Sequence, residues 1–138
     1  MVDAMRLILL TPEQISAYET ILVPLIEKWL EETWGEWTVE STLEDLKSGN
    51  WQAWLVYDEE PVCIAITTIT IFPNGKIIQI FGVAGEKVSK YLHLLVDIED
   101  FGRQNGCKAV IGYGRLGWER LLKSHGYGKR YSVVGKEL

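Results

Sequence analysis

The sequence of 138 residues is poor in the features that would settle its class at once. It has two cysteines, Cys63 and Cys107. Two are too few for a disulfide scaffold, and they lack metal-ligand spacing. No apolar run approaches the ~20 residues needed to cross a bilayer. The opening MVDAMRLILL holds a four-residue apolar run and no small-residue cleavage site, so no secretory signal is expected. Repeats, low-complexity stretches and linkers are missing as well. What these absences leave is a reducing, cytoplasmic setting and one domain over 1–138.

What is present is a globular composition: 47% apolar, 11% aromatic and 24% charged residues. Basic charge is scarce, 14 Lys plus Arg against 19 Asp plus Glu, for a net charge of −5. It is also unevenly spread. Residues 1–102 hold 6 basic and 17 acidic side chains, a balance of −11; residues 103–138 hold 8 and 2, a balance of +6. The acidic total argues against bulk nucleic-acid binding, while the basic end suits phosphates, an acidic partner or a second copy of the chain.

Arg6–Leu10 reads as a first strand. Thr11-Pro12 with Gln14 three residues after Thr11 reads as a capping box with proline in the first helical position. Ile15, Tyr18, Leu22, Leu25, Ile26 and Trp29 then follow at helical spacing, and Pro24 is expected to kink or split that helix. A second helix is expected from Ser41, with Glu44 three residues on, to Gly49. Gln52–Asp58, Val62–Phe72 and Lys76–Val83 read as an antiparallel meander, punctuated by Glu59-Glu60-Pro61 and Pro73-Asn74-Gly75. Ile64 and Ile66 fall on one face of the middle strand and Ile69 and Ile71 on the other, which predicts a bulge near Thr67–Thr68.

A third helix carries the stripe Val88, Leu92, Leu95, Ile98 and Phe101 and ends at Gly106. Strand Lys108–Tyr113, helix Gly117–Ser124 closed by Gly126, and a last strand Tyr131–Val134 complete the chain. The strand–helix–strand unit implies one parallel pairing in a mostly antiparallel, mixed sheet flanked by helices, an α+β fold.

This order resembles the GNAT acyltransferase superfamily. The stretch LLVDIEDFGRQNGCKAVI, Leu94 to Ile111, resembles that family's helix running from the acyl-CoA site into the next strand, and GWERLLKSHGY, Gly117 to Tyr127, resembles its closing helix and Gly-Phe turn. The Gly-Arg-x-Gly-Trp run at Gly114–Trp118 resembles that of small GNAT-like proteins of phage and prophage gene clusters. The resemblance implies acetyl-CoA or another acyl-CoA as cofactor if the protein is active, an amine as acceptor, and the host cytoplasm or a virion as setting. It implies no metal.

In that family a glycine-rich turn holds the coenzyme A pyrophosphate on bare helix amides. Anchored on Leu94-Leu95, the matching positions here are Glu86, Ser89 and Tyr91. A carboxylate stands where a cationic or neutral side chain is usual, and a phenol where glycine or alanine is usual. The resemblance makes Val83, Gly85, Lys87, Ser89 and Lys90 the cofactor-binding candidates, with the two lysines flanking Glu86 as phosphate contacts or solvated side chains. Leu122 occupies the position of the family's proton-donating tyrosine and cannot donate. Tyr113, His125 and Tyr131 are the remaining candidates for a general acid; His93 reads as packed or partly exposed. Two functions stand side by side: a GNAT-like protein that acts through protein contacts with a degenerate acyl-CoA site, and an N-acyltransferase with a divergent CoA loop.

Two surface features complete the reading. Glu27, Glu31, Glu32, Glu36, Glu40, Glu44 and Asp45 interleave with Trp29, Trp34 and Trp37, an acidic and aromatic rim suited to a cationic amine or a basic protein surface. Trp34 and Trp37 serve as contact surface or as core. Arg115, Trp118, Arg120 and Lys123 form a basic run, with Arg115 at the carboxyl end of a strand, suited to a carboxylate, a phosphate, an internal acid or a partner.

Overall fold

The computed structural model describes residues 5–114 and 117–138. Strand β1 (Met5–Leu10) leads into Thr11, whose amide donates to Gln14 Oε1 at 2.9 Å, completing the expected box. The turn that follows is not yet α-helix. Pro12–Gln14 and Ser16–Tyr18 are 3₁₀ turns, and α1 runs over Glu19–Leu30. Pro24 lies inside α1 without splitting it. Proline forgoes one amide donor, and because Pro24 and Thr20 are exposed, the carbonyl left without that bond can face water.

Helix α2 (Val39–Ser48) starts two residues before the expected Ser41. Its cap is Thr38, whose Oγ1 accepts from Ser41 N at 3.0 Å while Ser41 Oγ accepts from Thr38 N at 2.9 Å. The serine is thus the third helical residue of a box and not its cap. Gly49, at φ 83°, ends the helix in the left-handed conformation.

Strands β2 (Trp51–Asp58), β3 (Glu60–Phe72) and β4 (Gly75–Gly85) form the meander. A 3₁₀ segment, Val88–Leu94, precedes α3 (Leu95–Gln104), so the expected single helix is two conformations end to end. Strand β5 (Cys107–Gly112) and α4 (Trp118–Leu122), extended by a 3₁₀ turn to His125, follow. The sheet order is β1-β2-β3-β4-β5, antiparallel except for the parallel β4–β5 pair. The expected last strand is not formed: Tyr131–Val134 pairs with no strand among the described residues, and strand composition without a ladder of backbone bonds makes no strand.

Helices cover both faces of the sheet, giving two apolar layers. Ile15, Leu22 and Ile26 pack with Leu55, Ile64 and Ile66 on one face. Trp54, Ile78 and Ile80 pack with Ile98 on the other, joined by Ile69. Simple alternation therefore puts Ile64 and Ile69 on opposite faces. The bulge exists all the same: the β3–β4 register shifts between Ile66 and Thr67, and Phe81 of β4 is the extra residue. Buried Thr67 is satisfied at both ends, accepting from Trp54 Nε1 at 2.9 Å and donating to Gln52 Oε1 at 2.8 Å.

Candidate functional site

The Phe81 bulge sets the geometry of the site. From Lys76 to Ile80, β4 pairs with β5, and Tyr113 N still donates to Ile80 O at 2.9 Å. Beyond that point β4 stays with β3 alone, so Phe81–Gly85 presents an edge with no strand partner among the described residues. Parallel strands that part in this way leave a cleft at their carboxyl ends, a usual place for a ligand. An open groove of about 1410 Å³ lies here, with Trp37, Phe81, Tyr113, Trp118 and His125 among the residues that line it.

At the far end of β4 the chain turns through Gly85 (φ 139°) and Lys87 (φ 51°) into the 3₁₀ segment. Here polar groups are satisfied from within. Glu86 N donates to Val62 O at 3.1 Å, Cys63 Sγ donates to Glu86 O at 3.1 Å, and Lys28 Nζ donates to Gly85 O at 3.3 Å. Burial pushes the Cys63 thiol up to about 11, so it stays protonated and keeps that bond. Asp58 Oδ2 accepts from both Lys90 Nζ and Tyr91 Oη, each at 3.0 Å. These two bonds hold the Asp58 carboxyl below the usual carboxylate range. Tyr91 is buried against Val56 and Cys63, its ring filling the corner between β2, β3 and the 3₁₀ segment.

Of the cofactor-binding candidates, Val83 and Gly85 therefore sit on the free edge of β4. Lys87 and Ser89 are exposed beside it, and Lys90 is spent on Asp58. Asp58 escaped the sequence reading. Its partner Tyr91 lies 33 residues away, and the local signal was a phenol at a position where the resemblance asks for a small residue.

The acidic, aromatic rim divides in two. Trp37 joins a four-ring cluster: it stacks on Trp29 with centroids 5.3 Å apart and meets Trp51 and Phe81 at 5.8 and 5.6 Å. Trp51 and Phe81 close the cluster at 4.6 Å. Trp34, by contrast, is 58% exposed. Its Nε1 donates to Glu137 Oε1 at 2.9 Å, and its ring covers Gly135, where a Cβ would overlap it. Glu36 Oε1 accepts from Trp34 N at 2.6 Å, fixing the linker, and Glu32 and Glu36 both line the groove.

The proton-donor candidates all lie along the groove. Burial first, then the neighbouring Tyr131 hydroxyl, raise the Tyr113 pKa, so it remains a protonated donor. His125 is exposed at the end of the α4 turn, and Leu122, half-buried, offers no proton. Trp118 lies over Gly114, where a Cβ would come 2.5 Å from its ring, so glycine is required there. Arg120 is exposed on α4, and Arg115 lies outside the described residues.

Tyr127 ties this wall together. Its hydroxyl donates to Glu99 Oε2 of α3 at 2.8 Å, and burial followed by that bond pushes its pKa far above the ordinary phenol value. The sign of the consequence follows from linkage. An unfolded tyrosine ionises near about pH 10 while the folded one stays neutral, so stability is intact below that pH and falls above it. Tyr127→Phe is expected to cost about 1 kcal/mol at neutral pH and to lose less between about pH 9 and about pH 11 than the parent. Urea midpoints at the two pH values check this; parallel losses in parent and variant would refute it.

No family model matches the chain. No curated protein matches it either. Solved structures do. An aminoglycoside N-acetyltransferase in complex with CoA superposes with TM-score 0.68 at 11% identity, over 100% of this chain and 97% of that one. A GNAT family acetyltransferase from Staphylococcus aureus gives 0.66 at 16%, over 98% and 99%. Glucosamine-6-phosphate N-acetyltransferase from Arabidopsis thaliana gives 0.70 at 17%, over 96% and 97%. At such identities the likeness is one of fold: the chain has the GNAT acetyltransferase fold, over the whole of its described length.

Proposed function

We propose that this GNAT-fold protein has an acyl-CoA site closed by its own side chains and acts through protein contacts, as a component of a phage or prophage gene cluster. The observation that carries the reading is the turn after β4, where both Glu86 backbone groups are bonded from within and Tyr91 fills the adjoining corner. A pyrophosphate held at a helix start needs open amides and room beside them. Here the Glu86 amide is bonded to Val62 O, the helical turn is 3₁₀, and Tyr91 fills the space that a small residue would leave. Glu86 sets an exposed negative charge on the turn itself, and Lys90 is held by Asp58. These residues do not fit a pyrophosphate. Leu122 in place of a phenol removes a proton donor on the same wall. The Gly114–Trp118 run supports the phage setting through resemblance, and the host cytoplasm or a virion is the place such a component would work.

A second reading is favoured by one observation: the cleft between β4 and β5 remains open, with Tyr113, His125 and Tyr131 along it. On that reading the protein is an acetyl-CoA-dependent N-acyltransferase: Tyr113 or Tyr131 would hold the proton for the leaving group, and the Trp37 cluster with Glu32 and Glu36 would receive a cationic amine. A thermal melt with millimolar acetyl-CoA decides between them. Ligand at ~100 times its dissociation constant adds about 2.7 kcal/mol, an easily seen shift. No shift is expected; a clear one would overturn the first reading.

A further inference from the structure

Helices α1 and α3 lie on opposite faces of the sheet, and the end of the chain passes between them. Ile98 of α3 packs on one face, and Leu22 and Ile26 of α1 pack on the other. Tyr127 is bonded to Glu99 of α3, whereas Gly135 and Glu137 meet Trp34, in the linker that follows α1. The segment Gly128–Leu138 therefore goes from one face to the other. It does so past Tyr113, whose neighbour is the Tyr131 hydroxyl, where β5 has ended and β4 has parted from it. Both anchors, Glu99 and Trp34, line the groove that the segment itself lines.

The two anchors differ in strength. Between them the segment makes no backbone–backbone hydrogen bond among the described residues, so side chains fix its path. At the near end the Tyr127 hydroxyl and its bond to Glu99 are partly buried. At the far end everything is in water: Trp34 is 58% exposed, and its Nε1 donates to Glu137 Oε1 at 2.9 Å. The indole also lies flat on Gly135, where any Cβ would overlap it. Trp34 is itself held in place, its amide donating to Glu36 Oε1 at 2.6 Å. Gly126, at φ 88°, and Gly128 stand where the segment leaves the α4 turn and give the backbone freedom to swing there. Charge favours the closed position. Apart from the segment, the groove lining carries Glu32, Glu36, Glu99 and Glu119 against Arg103 and Lys108, and the segment brings Lys129 and Arg130 to it. A segment with a firm anchor at one end and one exposed contact at the other opens at the weaker end first.

We propose that Gly128–Leu138 is a strap across the cleft between β4 and β5, hinged at Gly126–Gly128 and latched by Trp34 to Gly135 and Glu137, whose release widens the entrance to that cleft. The inference concerns access alone and holds for either occupant considered above. An acetyl-CoA melt of either outcome leaves it standing, and its own failure leaves those readings as they are.

Limited proteolysis and thiol labelling provide the test. Trp34→Ala removes the latch and, because the ring is mostly in water, spares the fold. Trypsin should then cut after Lys129 and Arg130 about fivefold faster than in the parent, with far-UV circular dichroism unchanged. Access is read from Val83→Cys, on the free edge of β4, in a Cys107→Ser background labelled with dithiodipyridine. Cys63 is buried and stays protonated, so it is silent. Labelling of the introduced thiol should quicken by a similar factor when Trp34→Ala is added. Gly135→Val pushes the segment off the indole and should release it as far as Trp34→Ala does, while the double variant goes no further than either. An unchanged tryptic rate in Trp34→Ala would overturn the latch. Faster cutting with unchanged labelling would overturn the control of access. Additive effects of Trp34→Ala and Gly135→Val would show that the glycine and the indole act apart, which also overturns the proposal.

Discussion

Trp29→Ala is expected to cost about 3–5 kcal/mol, a large part of the stability of a domain this size. Trp29 is 3% exposed and lies where α1 crosses β4. Its ring stacks on Trp37 and meets Phe81 edge-on at 5.8 Å. Beneath it is Gly82, where a Cβ would come 2.8 Å from Trp29 Cε2, so the indole lies directly on the β4 backbone. Truncation to alanine leaves a cavity that backbone on one side and two large rings on the other cannot readily close. Trp34→Ala is the control. Its ring is mostly in water and its one side-chain bond is to Glu137, so the loss should stay below about 1 kcal/mol. Urea midpoints at unchanged m-value measure both. A Trp29→Ala cost no larger than that of Trp34→Ala would show that the ring cluster does not hold α1 to the sheet.

That contrast also marks how far the sequence carried. Trp34 and Trp37 sit three residues apart in one short linker, and nothing local separates them. Trp37 is drawn in because Trp29, Trp51 and Phe81 converge on it from α1, β2 and β4, a meeting that linear spacing does not encode. Features that depend on local chemistry were legible: the Thr11–Gln14 box, the α1 stripe, the meander and its turns, and the left-handed glycines at 49, 106 and 126. The parallel pairing of β4 and β5 was legible from element order. The last strand was misread for the opposite reason. Tyr131–Val134 has strand composition, but a strand exists only when backbone bonds pair it, and among the described residues this segment makes none. The continuous α-helix expected from Val88 failed similarly. Its apolar spacing is sound, yet Lys87 in the left-handed region and the Tyr91–Asp58 bond hold the first turns in the tighter 3₁₀ form. The same bond decides the candidate site. A tyrosine at position 91 signalled something unusual, while its partner at the end of β2 gave no local sign.

Gly85→Ala is expected to be the most damaging small change at that site, costing about 3 kcal/mol or more. Two penalties combine. At φ 139° the residue is in a region that L side chains rarely adopt, and an added methyl would overlap the Val62 carbonyl oxygen and the Cys63 backbone. The Val62 oxygen is the acceptor of Glu86 N, and Cys63 is the donor to Glu86 O, so relief of the overlap must break the bonds that close the loop. Gly106→Ala separates the two effects. Gly106 has φ 78° with nothing within 4 Å of an added Cβ, so it carries the left-handed strain alone, about 1–2 kcal/mol. The difference between the variants is the contribution of the overlap. Amide exchange locates it: Gly85→Ala should speed exchange at Glu86 and along Val88–Leu94, whereas Gly106→Ala should leave those amides as they are. Equal costs, or an unchanged Glu86 amide in Gly85→Ala, would mean that the bonds around Val62 and Cys63 do not close the loop. In that case the space for a phosphate beside β4 would be open after all.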